Sequence, residues 1–135
     1  MTPLLLDTQA FLWLVGGHKR LGPKSRKLAE AVRSEGQLFV SAISFWEMTN
    51  LAEINRIKLG LPVLDWRARM LCSGIREWQL DGRTAIRASE LLVTHPDPFD
   101  RFILATAEIQ GASLMTSDHV LLKWRSKMKR FDATE

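Results

Sequence analysis

Short runs of consecutive apolar residues constrain the fold of this chain most strongly. PLLLD at residues 3–7 and QLFVS at 37–41 are too short for helices, and they show no alternation of apolar and polar positions. A strand of this kind is buried on both faces. Longer segments with helical patterning separate these runs. Strands that alternate with helices predict an α/β fold with a parallel sheet covered on both faces.

The whole chain divides into predicted elements without a repeat or a linker, which indicates a single domain over residues 1–135. The predicted strands are 3–7, 37–41, a half-exposed edge strand at 75–80, 112–117, and a last short strand at Arg130–Phe131. The predicted helices are 8–15, 23–36, Ser44 to about Lys58, Pro62 to about Cys72, Gly82–Leu92, a helix capped by Asp97 and ended by Gly111, and 117–124.

The composition is that of an ordinary globular chain, with 46% hydrophobic and 25% charged residues. No apolar run approaches the roughly 18 residues of a membrane span, and the start of the chain lacks the pattern of a signal peptide. Cys72 is the single cysteine, so no internal disulfide can form. We therefore expect a cytoplasmic protein without a membrane partner. A net charge of +4 permits a polyanionic partner without requiring one.

Acidic residues stand close to the predicted starts of helices. They are Asp7, Glu47, Asp100 and Asp118, and three of the four come directly after a predicted strand. The carboxyl ends of parallel strands share one edge, where ligand sites open. Each acid also has a structural interpretation. Asp7 and Asp118 fit helix caps, and Glu47 and Asp100 fit capping boxes with Ser44 and Asp97.

Taken together, the acids favour a metal site. Carboxylates that share a site repel one another and raise each other's pKa, so their grouping makes sense when a cation lies among them. Hard oxygen ligands without Cys or His are typical of Mg²⁺ or Mn²⁺ rather than zinc. The sequence therefore predicts a Mg²⁺ site, with Mn²⁺ as an alternative, at the edge where the strands end.

The chain resembles a PIN domain, and more narrowly the VapC-type ribonuclease toxins of bacterial toxin–antitoxin pairs. The segments that carry the resemblance are LLLDT at 4–8, SFWE at 44–47, HPDPFDRFILATA at 95–107 and MTSD at 115–118. They span essentially the whole chain. The resemblance implies a three-layer α/β/α sandwich with strand order 3-2-1-4-5. It also implies an endoribonuclease that is a homodimer, acts on RNA and is inhibited by a small antitoxin protein.

The resemblance assigns the four acids to metal binding and catalysis. Asp7 and Asp100 are the expected principal ligands, and Asp118 binds metal through water or at a second site. Glu47 orients or deprotonates the attacking water. Thr116 and Arg101 are expected at the substrate, Thr116 through a hydrogen bond to Asp7 or a metal-bound water and Arg101 through phosphate. A structural role is the alternative for both.

Several further residues have a functional and a structural interpretation. His95 could contact phosphate, and the basic tail KWRSKMKR at 123–130 could bind RNA; an exposed His and a solvated basic face are the alternatives. Trp46 and Trp66 belong either to a surface for a dimer or antitoxin, or to the core.

Other functions on a similar fold remain as alternatives. One is a catalytically silent PIN-fold module that binds RNA or protein, although such a module should lack one of the four acids. A phosphatase-like hydrolase needs a second Asp two residues after Asp7, where this chain has Gln9. A phosphoacceptor receiver domain needs an acid adjacent to Asp7. A structure-specific DNA nuclease usually needs additional helices.

Overall fold

A five-stranded, all-parallel sheet forms the centre of the protein, in the order β3-β2-β1-β4-β5. The computed structural model describes residues 2–91 and 97–135. The strands are β1 Leu4–Leu6, β2 Leu38–Ser41, β3 Arg76–Trp78, β4 Ser113–Thr116 and β5 Arg130–Asp132. The predicted fold class and strand order are confirmed, and β3 lies at an edge of the sheet as its alternating polarity predicts.

Helices connect successive strands and cover both faces of the sheet. They are α1 Thr8–Gly16, α2 Pro23–Ser34, α3 Ala42–Glu53, α4 Val63–Cys72, α5 Gly82–Glu90, α6 Pro98–Gln110 and α7 His119–Lys123. In the part of the chain that the structure describes, every helix is too short or too polar to traverse a lipid bilayer.

The two faces of the sheet bury separate apolar clusters. Leu4 and Leu6 pack on one face with residues of α1 to α4, and among these Phe11 is completely buried. Leu5 packs on the other face with residues of α5, α6 and α7, including Leu104. Because alternate residues of a strand point to opposite faces, a strand that is apolar at every position contributes to both clusters.

Local sequence signals set most helix ends where the sequence predicts them. The carboxylate of Asp97 accepts a hydrogen bond from Phe99 N at 2.9 Å, and Pro98 follows at the first helical position. Gly111 ends α6 in the left-handed conformation, with φ of 64°. Asp118 caps α7 in the same way as Asp97 caps α6.

The start of α3 differs from the prediction. The cap is Ser41, whose hydroxyl accepts from Ile43 N, and the helix begins at Ala42 rather than at Ser44. Glu47 therefore lies in the second turn, and it forms no capping box with Ser44. The helix ends at Glu53, before the predicted Lys58, and Asn55 follows it in the left-handed conformation with φ of 57°.

The start of α2 is attached to the last residues of the chain. Gly22 N donates to Ala133 O and Ser25 N donates to Glu135 O, both at 2.9 Å. A Cβ atom on Gly22 would lie 2.0 Å from Glu135 O, so only glycine permits this approach. The contact fixes α2 beside the end of β5.

Candidate functional site

Asp7 lies directly after β1 and is almost completely buried, with 6% of its surface exposed. Its Oδ1 accepts from Ala10 N at 2.8 Å, which caps α1. Its Oδ2 accepts from Thr116 Oγ1 at 2.5 Å, across the pairing of β1 with β4. Both carboxylate oxygens are therefore oriented by hydrogen bonds at the carboxyl end of the sheet.

Thr116 connects Asp7 to Asp118. Its hydroxyl donates to Asp7 and accepts from Asp118 N at 3.0 Å, while Asp118 Oδ1 accepts from Val120 N at 2.8 Å. The predicted hydrogen bond from Thr116 to Asp7 is confirmed. Thr116 is fully buried, and its hydroxyl links the carboxylate of Asp7 to the backbone of Asp118. Its contact with substrate stays a prediction.

Glu47 reaches the same region from α3 through Thr8. Thr8 Oγ1 donates to Glu47 Oε1 at 2.7 Å and lies 2.8 Å from Ser44 Oγ. Ser44 and Glu47 are three residues apart, which places them on one side of a helix. The role of Thr8 was missed from the sequence, although its position next to Asp7 and the S-x-x-E spacing were the available signals.

Asp100 is the third residue of α6, as predicted. The ring of the preceding residue, Phe99, contacts the ring of Trp46 at 4.7 Å between centroids. Trp46 lies on α3, so the first turn of α6 packs against that helix. The side chain of Asp100 is partly buried there. The four acids thus come from four elements at the same end of the fold.

The two tryptophans that the sequence left undecided have different environments. Trp66 is buried and packs against Phe11, with 5.3 Å between ring centroids. Trp46 keeps 54% of its surface exposed. Of the two, Trp46 is therefore the one available to a partner.

Burial and neighbouring charge change the acid–base properties of these carboxyl groups. Burial raises the pKa of Asp7 to about 6, against the opposing hydrogen bonds from Thr116 and Ala10, and the charge of Asp118 raises it further. Burial also raises the pKa of Glu47, although the Thr8 hydrogen bond opposes it; Asp97 and Asp7 add to the increase. Repulsion between carboxylates therefore acts on Asp7 from Asp118, and on Glu47 from Asp97 and Asp7.

Arg101 contacts the end of α5. The guanidinium of Arg101 donates to Ala88 O and Ser89 O, both at 3.0 Å, and to Leu91 O at 3.3 Å. The guanidinium satisfies carbonyls at the end of α5, and its predicted contact with phosphate has no support in the structure.

His95 lies outside the described residues. In the basic tail, Lys127 and Lys129 line a cavity with Thr2 and Ala112, which precede β1 and β4 at the opposite edge of the sheet.

The donor set is compatible with Mg²⁺, although it forms no closed cage. Within residues 2–91 and 97–135, no group of three or more Asp, Glu, His or Cys side chains is close enough to hold an ion by itself. Mg²⁺ keeps several waters and is commonly bound through one or two carboxylates. The adjacent Asp7 and Asp118 fit that mode of binding, and their mutual repulsion is the kind that a cation relieves.

Comparisons with known proteins agree with this fold. The family model described as PIN domain matches residues 4–125. Ribonuclease VapC22 of Mycobacterium tuberculosis is 36% identical over 126 residues, which are 93% of this chain and 94% of that protein. A toxin–antitoxin complex from Klebsiella pneumoniae has a TM-score of 0.55 at 22% identity, covering 85% of this chain and 86% of that one. VapBC2 from Rickettsia felis, bound to a promoter DNA fragment, has a TM-score of 0.65 at 14% identity, covering 96% and 98%.

The raised pKa of Asp7 predicts a specific dependence of stability on pH. Between the ordinary value of 3.8 and about 6, the folded protein binds a proton that the unfolded chain has released. Binding of this proton stabilises the folded protein at low pH, and the stabilisation is lost as the pH rises through about 6. Asp7→Asn has no carboxyl group at this position, so its stability lacks this dependence on pH. The free energy of unfolding, measured by urea titration with EDTA, should favour the variant increasingly from pH 4 to pH 7, by at most about 3 kcal/mol. Parallel curves for the two proteins would contradict the assignment.

Proposed function

The chain belongs to the PIN domain family, and from that membership we propose that it is a metal-dependent endoribonuclease, the toxin component of a toxin–antitoxin pair. The observation that carries the proposal is the buried Asp7, oriented by Thr116 and close enough to Asp118 for the second charge to raise its pKa. A perturbed carboxyl group of this kind is typical of a functional site. The proposed substrate is RNA in the cytoplasm. A reducing cytoplasm fits the single Cys72, which forms no disulfide.

Asp7 and Asp100 are the principal metal ligands in this proposal, and Asp118 binds through water or at a second site. The cation is Mg²⁺, and Mn²⁺ can replace it because it prefers the same oxygen donors. When bound, the cation lowers the pKa of a coordinated water and neutralises phosphate oxygens. Thr116 keeps Asp7 and Asp118 in register with each other, so it is a positioning residue.

Glu47 orients the attacking water and accepts its proton. The hydroxyl of Thr8 donates to Oε1 of this carboxylate, which leaves Oε2 to accept a hydrogen bond from the water. A general base works best when its pKa lies near the working pH, and the pKa of Glu47 is shifted upward in that direction. The proton leaves the water as its oxygen attacks phosphorus, and the leaving oxygen of the RNA departs from the opposite side.

A small antitoxin protein is the proposed inhibitor. A site rich in carboxylates accepts a Lys or Arg side chain through charge-assisted hydrogen bonds, and such a side chain takes the place of the metal. We expect the product of the adjacent reading frame, purified with this protein as a complex, to abolish Mg²⁺-dependent RNA cleavage. Full cleavage in the presence of a saturating amount of that protein would contradict the inhibition.

A homodimer is proposed on the apolar surface of α3 and α4. Leu64 of α4 keeps 75% of its surface exposed, and Ile54, which directly follows α3, keeps 62%; Trp46 lies on α3. Ile54→Glu should convert a dimer into a monomer because it places a charge in the interface. Ile86→Glu is the control, since Ile86 on α5 is 64% exposed. The measurement is light scattering. A strict monomer for the unchanged protein at high concentration would rule out the dimer.

Asp100 is a metal ligand in this proposal, rather than an acid that only stabilises a helix start. Asp100→Asn keeps the shape and the hydrogen-bonding capacity of the side chain, so it should fold normally. It should lose Mg²⁺-dependent RNA cleavage by orders of magnitude, because a metal ligand is gone. Without metal it should melt at a higher temperature than the unchanged protein, because one repelling carboxylate is absent.

Asp65→Asn provides a matched control for that experiment. Asp65 is also the third residue of its helix, α4, and it is exposed. Its removal should leave cleavage unchanged and should cost only the dipole contribution, about 0.3–1 kcal/mol. Near-normal cleavage by purified Asp100→Asn would show that Asp100, like Asp65, only stabilises the start of its helix.

A further inference from the structure

A second cavity lies beside β5, the outermost strand of the sheet, and none of the four acids lines it. It has a volume of about 710 Å³ and extends between α2, β5 and Leu122 of α7. Lys24, Lys27 and Leu28 line it from α2. These residues are spaced three and four positions apart, so they present one face of the helix.

The cavity opens on the same edge of the sheet as the acids. Ser25 Oγ donates to Asp132 O at 2.8 Å, which holds the start of α2 at the end of β5. Asp132 is paired in register with Thr116, the residue that orients Asp7. Only β4 lies between β1 and β5. With neighbouring strands about 4.8 Å apart, the cavity begins roughly 10 Å from the strand that ends in Asp7.

The side chains that line the cavity include the cations of Lys24, Lys27 and Arg130 and the acids of Asp132 and Glu135, so positive charge is in slight excess. Lys24 and Lys27 are exposed. Of the two acids that line the cavity, Asp132 accepts from Thr134 N and Thr134 Oγ1 through Oδ1. The other, Glu135, lies 3.9 Å from Lys24, and both side chains are largely exposed, so their attraction is weak.

Arg130 of β5 also lines the cavity, and it is half-buried. Arg130 Nη2 donates to Trp124 O at 2.5 Å, while Nη1 is buried without a hydrogen-bond partner among the residues that the structure describes. Burial lowers the pKa of this guanidinium. Leu28, Leu122 and Phe131 add apolar side chains to the lining. A lining that combines cations with apolar side chains matches the phosphates and bases of a single nucleic-acid strand.

We propose that this cavity is a subsite for single-stranded RNA, in which Lys24 and Lys27 contact phosphates a short distance along the strand from the bond that is cleaved. The inference rests on the ribonuclease function proposed above and extends it from the acids to the path of the substrate. It places the RNA along α2 and β5, and it leaves the basic tail residues Lys127 and Lys129, at the opposite edge of the sheet, without a part in binding.

The test measures the binding of a labelled oligouridylate by fluorescence anisotropy at several salt concentrations. EDTA is present so that no cleavage occurs. The double variant Lys24→Gln, Lys27→Gln is compared with the double variant Lys127→Gln, Lys129→Gln, which removes the same charge at the opposite edge.

The cavity variant should bind more weakly, with a slope of log K against log salt reduced by about 0.7 for each phosphate that a lysine no longer neutralises. An oligoadenylate should give the same weakening, because phosphate contacts do not distinguish bases. In Mg²⁺, KM for cleavage should rise while kcat stays unchanged.

Each other outcome overturns the inference in a recognisable way. If the unchanged protein binds and cleaves RNA and both double variants match it, the cavity is not a subsite and the ribonuclease function stands. If the unchanged protein neither binds nor cleaves RNA, the proposed function fails, and the subsite fails with it. If the cavity variant binds RNA normally but no longer binds the antitoxin, the cavity is a protein-docking surface instead.

Discussion

The parallel pairing of β1 with β4 is the contact on which the candidate site depends. Asp7 N donates to Met115 O at 3.1 Å, and this register places the hydroxyl of Thr116 against the carboxylate of Asp7. A hydroxyl can donate one hydrogen bond and accept two. Thr116 uses this capacity to donate to Asp7 and to accept from the backbone of Asp118. A slip of one residue would turn Thr116 to the other face of the sheet and separate the two acids.

The position of Asp7 has an electrostatic cost that the rest of the fold must offset. Two hydrogen bonds to its carboxylate favour the charged form, yet burial and the charge of Asp118 outweigh them. The apolar clusters on both faces supply the opposing stability, and Leu4, Leu5 and Leu6 hold the strand before Asp7 between them. Hydrogen bonds from the protein itself therefore fix the orientation of the Asp7 carboxylate.

Local rules predicted the elements well because their signals lie close together in sequence. Apolar runs predicted the strands. Asp97 with Pro98 predicted the start of α6, and Gly111 predicted its end. The strand order came from the family resemblance. The start of α3 was misplaced because Ser41 and Ser44 are both acceptable caps by sequence, and only the end of β2 decides between them. The contacts of Thr8 and Arg101 were missed because they join separate elements: Thr8 binds Glu47, 39 residues away, and Arg101 of α6 binds carbonyls at the end of α5.

Two helices show why sequence position alone does not define a site. Asp65 and Asp100 are each the third residue of a helix, so the helix dipole favours both equally. Asp65 is exposed on α4. Asp100 is partly buried, and the contact of Phe99 with Trp46 brings the first turn of α6 against α3. The same residue in the same local setting is therefore exposed in one helix and partly enclosed by a neighbouring helix in the other. This difference comes from tertiary packing, because the helix preference of the two positions is the same.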